Sequence, residues 1–205
     1  WILRWPEAGR RWLAGTLLVL SPALASYSGL LFMAIRANPF WAHPLLPAVF
    51  WASSLSTGLA FSELAVLARE VRRRYRWHPA WRDFDPWAKP WPAGDLEWLQ
   101  QLHLLALAGE LVFFFLWFTS WLFLPLGPAV FRALWGTGYG LLLGGMVLGL
   151  GLLFPLGLGL YARVRSAAER GVLPWLIPLL VLLGGVMLRY IVVFAGQLIF
   201  SPRPW

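Results

Sequence analysis

Five long stretches of apolar residues constrain this chain more than any other feature of its sequence. Each stretch is continuous rather than alternating, and each reaches the roughly 20 residues that a helix needs to cross about 30 Å of hydrocarbon. The stretches cover residues of about 13–35, 45–67, 99–124, 135–160 and 173–200. Because backbone polar groups inside a bilayer must be satisfied within the segment, we predict an all-α, polytopic membrane bundle of five transmembrane helices, which forms one domain over residues 1–205.

The composition limits the chemistry that the chain can perform by itself. Only 13% of the residues are charged, 60% are hydrophobic and none is Cys, which excludes an ordinary soluble domain, thiol catalysis and self-ligated iron–sulfur clusters. The three histidines, His43, His78 and His103, are predicted to lie at different depths, so no pair of them suits a bis-His haem. We therefore expect no haem, no iron–sulfur cluster and no metal site in this chain, and no covalent catalysis by the chain alone.

The excess of basic residues indicates orientation in a membrane rather than nucleic-acid binding. The net charge is +8, and most of the 17 Lys and Arg residues lie in segments 4–11, 69–89 and 163–170, on one side of the predicted spans. The positive-inside rule predicts a multi-pass protein of the inner (cytoplasmic) membrane, with a cytoplasmic N-terminus and a C-terminus outside. Residues 68–98 combine Trp with Arg, so we predict a cytoplasmic interfacial loop that contacts membrane lipid.

Ionisable and polar residues inside the spans are the candidate functional residues. Glu63 lies in span two, Glu110 in span three, and Arg189 and Gln197 in span five. Because charge inside a bilayer is costly and usually functional, these four residues are candidates for proton transfer. The alternative interpretation is a structural ion pair between Glu110 and Arg189 that joins two helices.

Small residues predict where helices approach one another closely. Span four contains two glycine pairs with the spacing that permits close helix packing, Gly140/Gly144 and Gly145/Gly149. We expect these pairs to pack within the chain rather than to form a dimer. Residues 53–58 of span two form a small polar patch, which suits either helix packing or the lining of a cavity.

Two separate segments of the chain carry a family resemblance. The first comprises SYSGLL at 26–31, NPFW at 38–41, LLP at 45–47 and STG at 56–58. The second comprises GGVMLRYIVV at 184–193 and AGQ at 195–197. Together and in this order, they resemble the NrfD family, the membrane subunit of polysulfide reductase and related complexes. The chain resembles the last five helices of that family's eight-helix fold, which consists of two four-helix bundles.

The resemblance implies a function in quinone-linked electron transfer. It implies that electrons pass between the quinone pool, menaquinone or ubiquinone, and an extracytoplasmic iron–sulfur subunit that serves a molybdopterin catalytic subunit. It also implies that Tyr27 hydrogen-bonds the quinone near the outer face and that the helix of Arg189 takes part in proton transfer. Three missing N-terminal helices, or another membrane subunit, would complete the fold.

Two other functions are compatible with the same residues. A proton channel or transporter subunit would use Glu110 and Arg189 along its pathway, whereas a purely structural membrane anchor would use them to hold helices together. The hypotheses differ in the partners that they require, because only the quinone-linked function needs a redox subunit beside the membrane chain.

Overall fold

The computed structural model describes residues 7–74, 93–164 and 172–200, which are almost entirely helical. The long helices are α1 (Glu7–Met33), α2 (Leu46–Arg74), α3 (Ala93–Ser120) and, at the end of the chain, α7 (Leu173–Phe200). Between α3 and α7 lie a 3-10 turn at Trp121–Phe123 and the helices α4 (Gly127–Gly136), α5 (Tyr139–Leu142) and α6 (Phe154–Val164). A π-helical segment, Leu143–Leu153, joins α5 to α6. The predicted all-α class is confirmed for these residues.

Four of the described helices are long and apolar enough to cross a membrane. They cover Leu46–Val71, Leu96–Phe123, Tyr139–Val164 and Leu173–Gln197, which correspond to the predicted spans two to five. In α1, the apolar stretch found within the described residues is Ala23–Met33, which is shorter than a span. The chain is therefore a multi-pass membrane protein with four spanning helices in its described part, and the predicted count of five is not confirmed.

Two helix ends differ from the predicted ends because polar residues continue the helices. α2 extends to Arg74 and α3 begins at Ala93, so both helices enter segment 68–98, which the sequence predicts as a loop. Ala, Glu and Arg are strong helix formers, so α2 continues beyond its apolar run. The rest of that predicted loop, 75–92, lies outside the described residues.

The fourth span begins later than predicted because of a glycine turn. α4 ends at Gly136 and α5 begins at Tyr139, and between them Gly138 has a φ of 79°. This left-handed conformation is accessible to glycine at little cost, whereas a residue with a side chain rarely adopts it. The turn separates the short helix α4 from the spanning helix at Tyr139–Val164.

α2 lies at the centre of the bundle, where it contacts α1, α3 and α7. α7 packs in turn against the π-helical segment and α6. The apolar core between these helices includes side chains that are at most 1% exposed, among them Leu46, Val49, Leu107, Leu188 and Ile191. Polar side chains of α2 therefore have neighbours on several helices, which matters for the site described below.

The connections between helices lie at two ends of the bundle. At one end, which we call the basic end, α2 and α6 finish and α3 and α7 begin, and residues of all four helices line one cavity. At the opposite end, the segment 34–45 between α1 and α2 is bonded to α7. Asn38 donates to the carbonyl of Gly196 at 2.8 Å, and Trp41 Nε1 donates to the carbonyl of Val192 at 2.7 Å. These two bonds fix the segment against the bundle.

Glycine permits a very close contact between the fourth span and α7. A Cβ atom added to Gly151 would lie 2.6 Å from the Cα atom of Gly184, which is closer than real side chains allow. Gly151 belongs to the π-helical segment, where hydrogen bonds from residue i to i+5 alter the usual helix spacing. A Cβ atom on Gly144 or Gly145 would have no atom within 4 Å. Close packing of the fourth span within the chain is therefore found at Gly151, and also at Gly140 of a predicted pair, where a Cβ atom would lie 2.7 Å from a side chain of α4.

We expect Gly151→Ala to destabilise the bundle, because the added methyl group would meet the backbone of α7, which cannot move aside. Overpacking of this kind costs about 1–3 kcal/mol. The measurement is the thermal unfolding midpoint in detergent micelles. Gly144→Ala, in the same π-helical segment but without a neighbouring atom, is the matched control and should leave the midpoint unchanged or slightly raised. Equal midpoints for the two variants would contradict the contact.

Candidate functional site

Five polar side chains lie together inside the bundle, and we call them the central cluster. Its members are Ser53, Ser54 and Ser56 of α2, Glu110 of α3 and Arg189 of α7. Ser53 and Ser56 are buried, whereas Ser54 is half-buried. All five residues lie within candidate membrane spans. The polar patch predicted at 53–58 therefore contacts charged groups of two other helices.

Glu110 is the buried carboxyl group of the cluster, with 3% of its surface exposed. Its Oε2 is hydrogen-bonded to the hydroxyl of Ser56, while Ser53 approaches the carboxyl group without reaching full hydrogen-bond geometry. The Ser56 hydroxyl also lies 3.1 Å from the carbonyl oxygen of Ser53. An ionised Glu110 accepts the proton of Ser56, whereas a protonated Glu110 donates to Ser56, which then donates to that carbonyl. The hydrogen bonds are thus compatible with both protonation states.

Arg189 is held by its own helix and by α2. Its guanidinium group donates to the carbonyl of Gly185 and to the hydroxyl of Ser54, both at 2.9 Å. Among the described residues it forms no direct ion pair with Glu110, although the two groups attract each other electrostatically. The ion pair expected under the alternative interpretation is therefore not found. Serines of α2 satisfy both charged groups instead, since Ser56 bonds Glu110 and Ser54 bonds Arg189.

Gly185 makes room for this arrangement. A Cβ atom at this position would collide with the methyl group of Thr57 and lie 3.3 Å from Arg189 Nη1. The missing side chain lets α7 approach α2 and lets the guanidinium group fold back along its own helix. The GG pair of the second motif thus serves two helix contacts, since Gly184 meets Gly151 and Gly185 meets Thr57.

A second acid–base pair lies about two helical turns from the central cluster. His103 Nδ1 of α3 is 3.1 Å from Glu63 Oε1 of α2, and both side chains are buried. On α3, His103 precedes Glu110 by seven residues, and on α2, Glu63 follows Ser56 by seven residues. Seven residues are close to two helical turns. The Glu63–His103 pair therefore lies on the same faces of α2 and α3 as Ser56 and Glu110. Sequence reasoning named Glu63 but missed His103, although this common spacing was the signal for it.

A cavity of about 250 Å³ at the basic end adjoins the Glu63–His103 pair. Its lining includes these two buried residues together with the exposed side chains of Glu97, Gln101 and Arg163. The exposed lining residues come from the first turns of α3 and the last turn of α6. The cavity therefore extends from the protein surface to the buried pair.

Two of the candidate residues lie outside both groups. Tyr27 of α1 is 61% exposed, and Gln197 near the end of α7 is exposed as well. Several leucines of α1 near Tyr27 are also exposed, so this part of α1 is open in the described chain. The predicted proton-transfer residues are thus divided: Glu110 and Arg189 share the central cluster, Glu63 pairs with His103, and Gln197 stands apart.

His43 forms a separate polar site at the end opposite the basic end. Its Nδ1 accepts from the backbone N–H of Leu45 at 3.1 Å, so the ring proton lies on Nε2, which donates to Ser120 Oγ at 2.8 Å. Ser120 donates in turn to the carbonyl of Trp117 at 2.7 Å. Burial lowers the pKa of His43 to about 4. His43 is therefore neutral at physiological pH and joins segment 34–45 to α3.

Comparison with known proteins places the chain in a family. Residues 2–201 match the family model described as polysulphide reductase, NrfD. The chain belongs to the NrfD family. Both motif segments that predicted this family lie within the matched residues, so the prediction is confirmed. Protein NrfD of Escherichia coli (strain K12) is 29% identical over 193 residues, which make up 92% of this chain and 54% of the relative.

The NrfD-family chain thus spans about half the length of the curated relative that it matches. No solved structure matches it. The family membership makes the chain a membrane subunit of the NrfD type, in agreement with the four spanning helices among its described residues.

The buried neutral His43 makes the stability of this NrfD-family chain depend on pH on the acid side. Its pKa is lowered from 6.5 to about 4, so between these pH values the unfolded chain binds a proton that the folded chain does not bind. The resulting stabilisation is complete above pH 6.5 and declines as the pH falls toward 4, by up to about 3 kcal/mol.

The variant His43→Gln tests this dependence, because an amide cannot titrate in that range. We expect the variant to be less stable than wild type at pH 7, since it loses part of the bonding to Leu45 and Ser120. Its thermal unfolding midpoint should also change less between pH 7 and pH 4 than that of wild type. An identical pH dependence in both proteins would contradict the assignment to His43.

Proposed function

We propose that this chain is the quinone- or quinol-interacting membrane subunit of an oxidoreductase complex. In this role it passes electrons between the quinone pool and an extracytoplasmic iron–sulfur subunit that serves a molybdopterin enzyme. Membership of the NrfD family supports the type of subunit. The observation that carries the proposal is the central cluster, in which a carboxyl group and a guanidinium group are satisfied inside spanning helices. Membrane proteins retain such costly groups where protons or ions move.

Tyr27 is the candidate for contact with the quinone. Its phenol hydroxyl can donate to a quinone carbonyl or accept from a quinol, and the exposed face of α1 gives access to a ligand from the lipid phase. Near this face, Phe32 of α1 contacts Trp41 of segment 34–45, with ring centroids 5.2 Å apart. The contact holds the end of α1 against the bundle. The other walls of the quinone site would come from another membrane subunit.

Quinone chemistry moves protons as well as electrons. Oxidation of a quinol releases two electrons and two protons, and reduction of a quinone takes up the same number. Glu110 can hold or release a proton with the same hydrogen-bond partners, because Ser56 is satisfied in either state. Arg189 stabilises the ionised carboxylate electrostatically. Glu110 is therefore the candidate proton-transfer group, and Arg189 is a positioning residue.

The orientation follows from the basic residues. We place the basic end at the cytoplasmic face of the inner membrane, so that the N-terminus is cytoplasmic and the C-terminus outside. Tyr27 and segment 34–45 then lie toward the outer face, which is the side of the iron–sulfur partner. Electrons would thus leave the quinone on the side where the partner binds.

A proton channel or transporter subunit is the second candidate function, and the cavity beside the Glu63–His103 pair favours it. The two functions differ in their dependence on redox partners. A channel would conduct protons in liposomes without a partner, under an imposed pH gradient. The quinone-linked subunit would stay proton-tight under the same conditions, and a trapped pH-sensitive dye distinguishes the two.

We expect Tyr27→Phe to lower quinol-linked electron transfer by about tenfold or more, because only the hydroxyl that bonds the quinone is lost. Assembly of the complex, measured by co-purification of its subunits, should be unchanged. Tyr190→Phe is the matched control, since Tyr190 is also exposed and lies against Phe194 of the same helix. Normal turnover in Tyr27→Phe would rule out the assigned role.

We expect Glu110→Gln to lower quinol-linked turnover by about 100-fold, as is typical when a group that transfers protons is lost. The amide keeps the size of the side chain and can bond Ser56, so assembly should be retained. The measurement is turnover per assembled complex. A structural anchor would show the reverse result, with weakened assembly and unchanged turnover per complex.

A further inference from the structure

The Glu63–His103 pair contains a ring nitrogen without a partner. Because Glu63 accepts from Nδ1–H at 3.1 Å, the neutral ring has its lone pair on Nε2. Nε2 is buried and has no hydrogen-bond partner among the described residues. A buried polar atom in this state is rare, since leaving it unpaired costs stability. A small hydrogen-bonding ligand would complete the pair.

The adjoining cavity can supply such a ligand. Its volume of about 250 Å³ is enough for several water molecules. Glu97, Gln100, Gln101 and Arg163 line it, and each of them can hydrogen-bond water. A quinone ring would instead require a mainly apolar slot. The lining therefore favours water that connects the buried pair with the aqueous phase at the basic end.

Charged groups of three helices lie around His103. Glu63 of α2 bonds the ring, and Glu110 of α3 interacts with it electrostatically. Glu97 of α3 and Arg163 of α6 line the same cavity, while the lining residues from α7 are apolar. The charges around the ring thus come from three carboxyl groups and one guanidinium group.

The distance to the central cluster determines the next step. Seven residues at a rise of 1.5 Å place His103 about 10 Å from Glu110 along α3. Ala60 and Leu107 are buried on the intermediate turns of α2 and α3. A single hydrogen bond cannot cover that distance, so water has to enter between the two levels. Leu107, the larger of the two apolar residues, is the barrier to its entry.

We propose that Glu63 and His103 form a proton inlet that exchanges protons between the aqueous phase at the basic end and Glu110. A hydronium ion in the cavity water gives a proton to Nε2 and becomes water, and Nδ1 releases its proton to the Glu63 carboxylate, from which it passes toward Glu110. The ring returns to its original tautomer when cavity water takes the Nε2 proton and, after the ring rotates, returns one to Nδ1. One proton enters and one leaves, so the step needs no oxidant or reductant. The inlet rests on the proposed function, in which Glu110 exchanges protons.

The state of His103 can be tested without redox activity, by ¹⁵N NMR of histidine-labelled chain in lipid nanodiscs. The spectrum of His103→Gln assigns the signal. We expect the proton of neutral His103 on Nδ1 and that of His43 on Nε2. An Nε2–H tautomer of His103 in the resting chain would overturn the inlet.

The function of the inlet is tested in liposomes that contain the whole complex. His103→Gln should lower quinol-linked turnover by about 10- to 100-fold and flatten its dependence on the pH at the basic end, with KM for quinol and assembly unchanged. Imidazole added at the basic end should restore turnover in His103→Ala, because the cavity has room for the ring. Ser62→Ala is the control, since Ser62 is exposed beside Glu63 and bonds only Gly58 of its own helix.

The outcomes separate this inference from the proposed function. If wild-type complex shows no quinol-linked turnover, the proposed function fails and the inlet fails with it. If wild type turns over and His103→Gln keeps both its rate and its pH profile, the inlet alone is wrong. If His103→Gln does not assemble, Glu63→Gln is judged by the same criteria.

Discussion

A carboxyl group buried among membrane-spanning helices determines how the rest of this structure is arranged. Glu110 has no bulk water to solvate it, so neighbouring helices must provide hydroxyl groups and a positive charge. Ser56 provides the direct hydrogen bond, and Arg189 provides the charge from α7. Three helices therefore meet at Glu110. Removal of Ser56 or Arg189 would leave a polar group unpaired inside the membrane, where that is costly.

Close helix packing makes this meeting possible. Gly185 lets α7 approach α2 at Thr57, and Gly184 meets Gly151 of the π-helical segment on the other side. Lipid gives little hydrophobic driving force for helix association, so van der Waals contact between backbones and interhelical hydrogen bonds hold such bundles together. The glycines and the central cluster thus lie at the same level of α7. The close packing and the polar contacts therefore depend on each other.

Polar groups are distributed unevenly along the bundle. The basic end has a cavity and an acid–base pair, and the middle has the central cluster. The opposite end is closed by aromatic rings, with His43 between Trp117 and Trp121 and kept neutral by burial. This asymmetry suits the proposed function, in which protons are exchanged with one aqueous phase while electrons leave on the other side.

The sequence by itself determined the membrane class, four of the spans, the family and the identity of most polar candidates. Apolar length and charge placement are local properties of a chain, and motifs such as the GG pair at 184–185 are read directly. Only the tertiary structure decided which polar groups meet. In the structure, Glu110 and Arg189 are bonded to serines of α2 rather than directly to each other, and Glu63 is paired with His103. Helix rotation and close approach decide such contacts, and they depend on glycines and serines of other helices, which no single segment of sequence specifies.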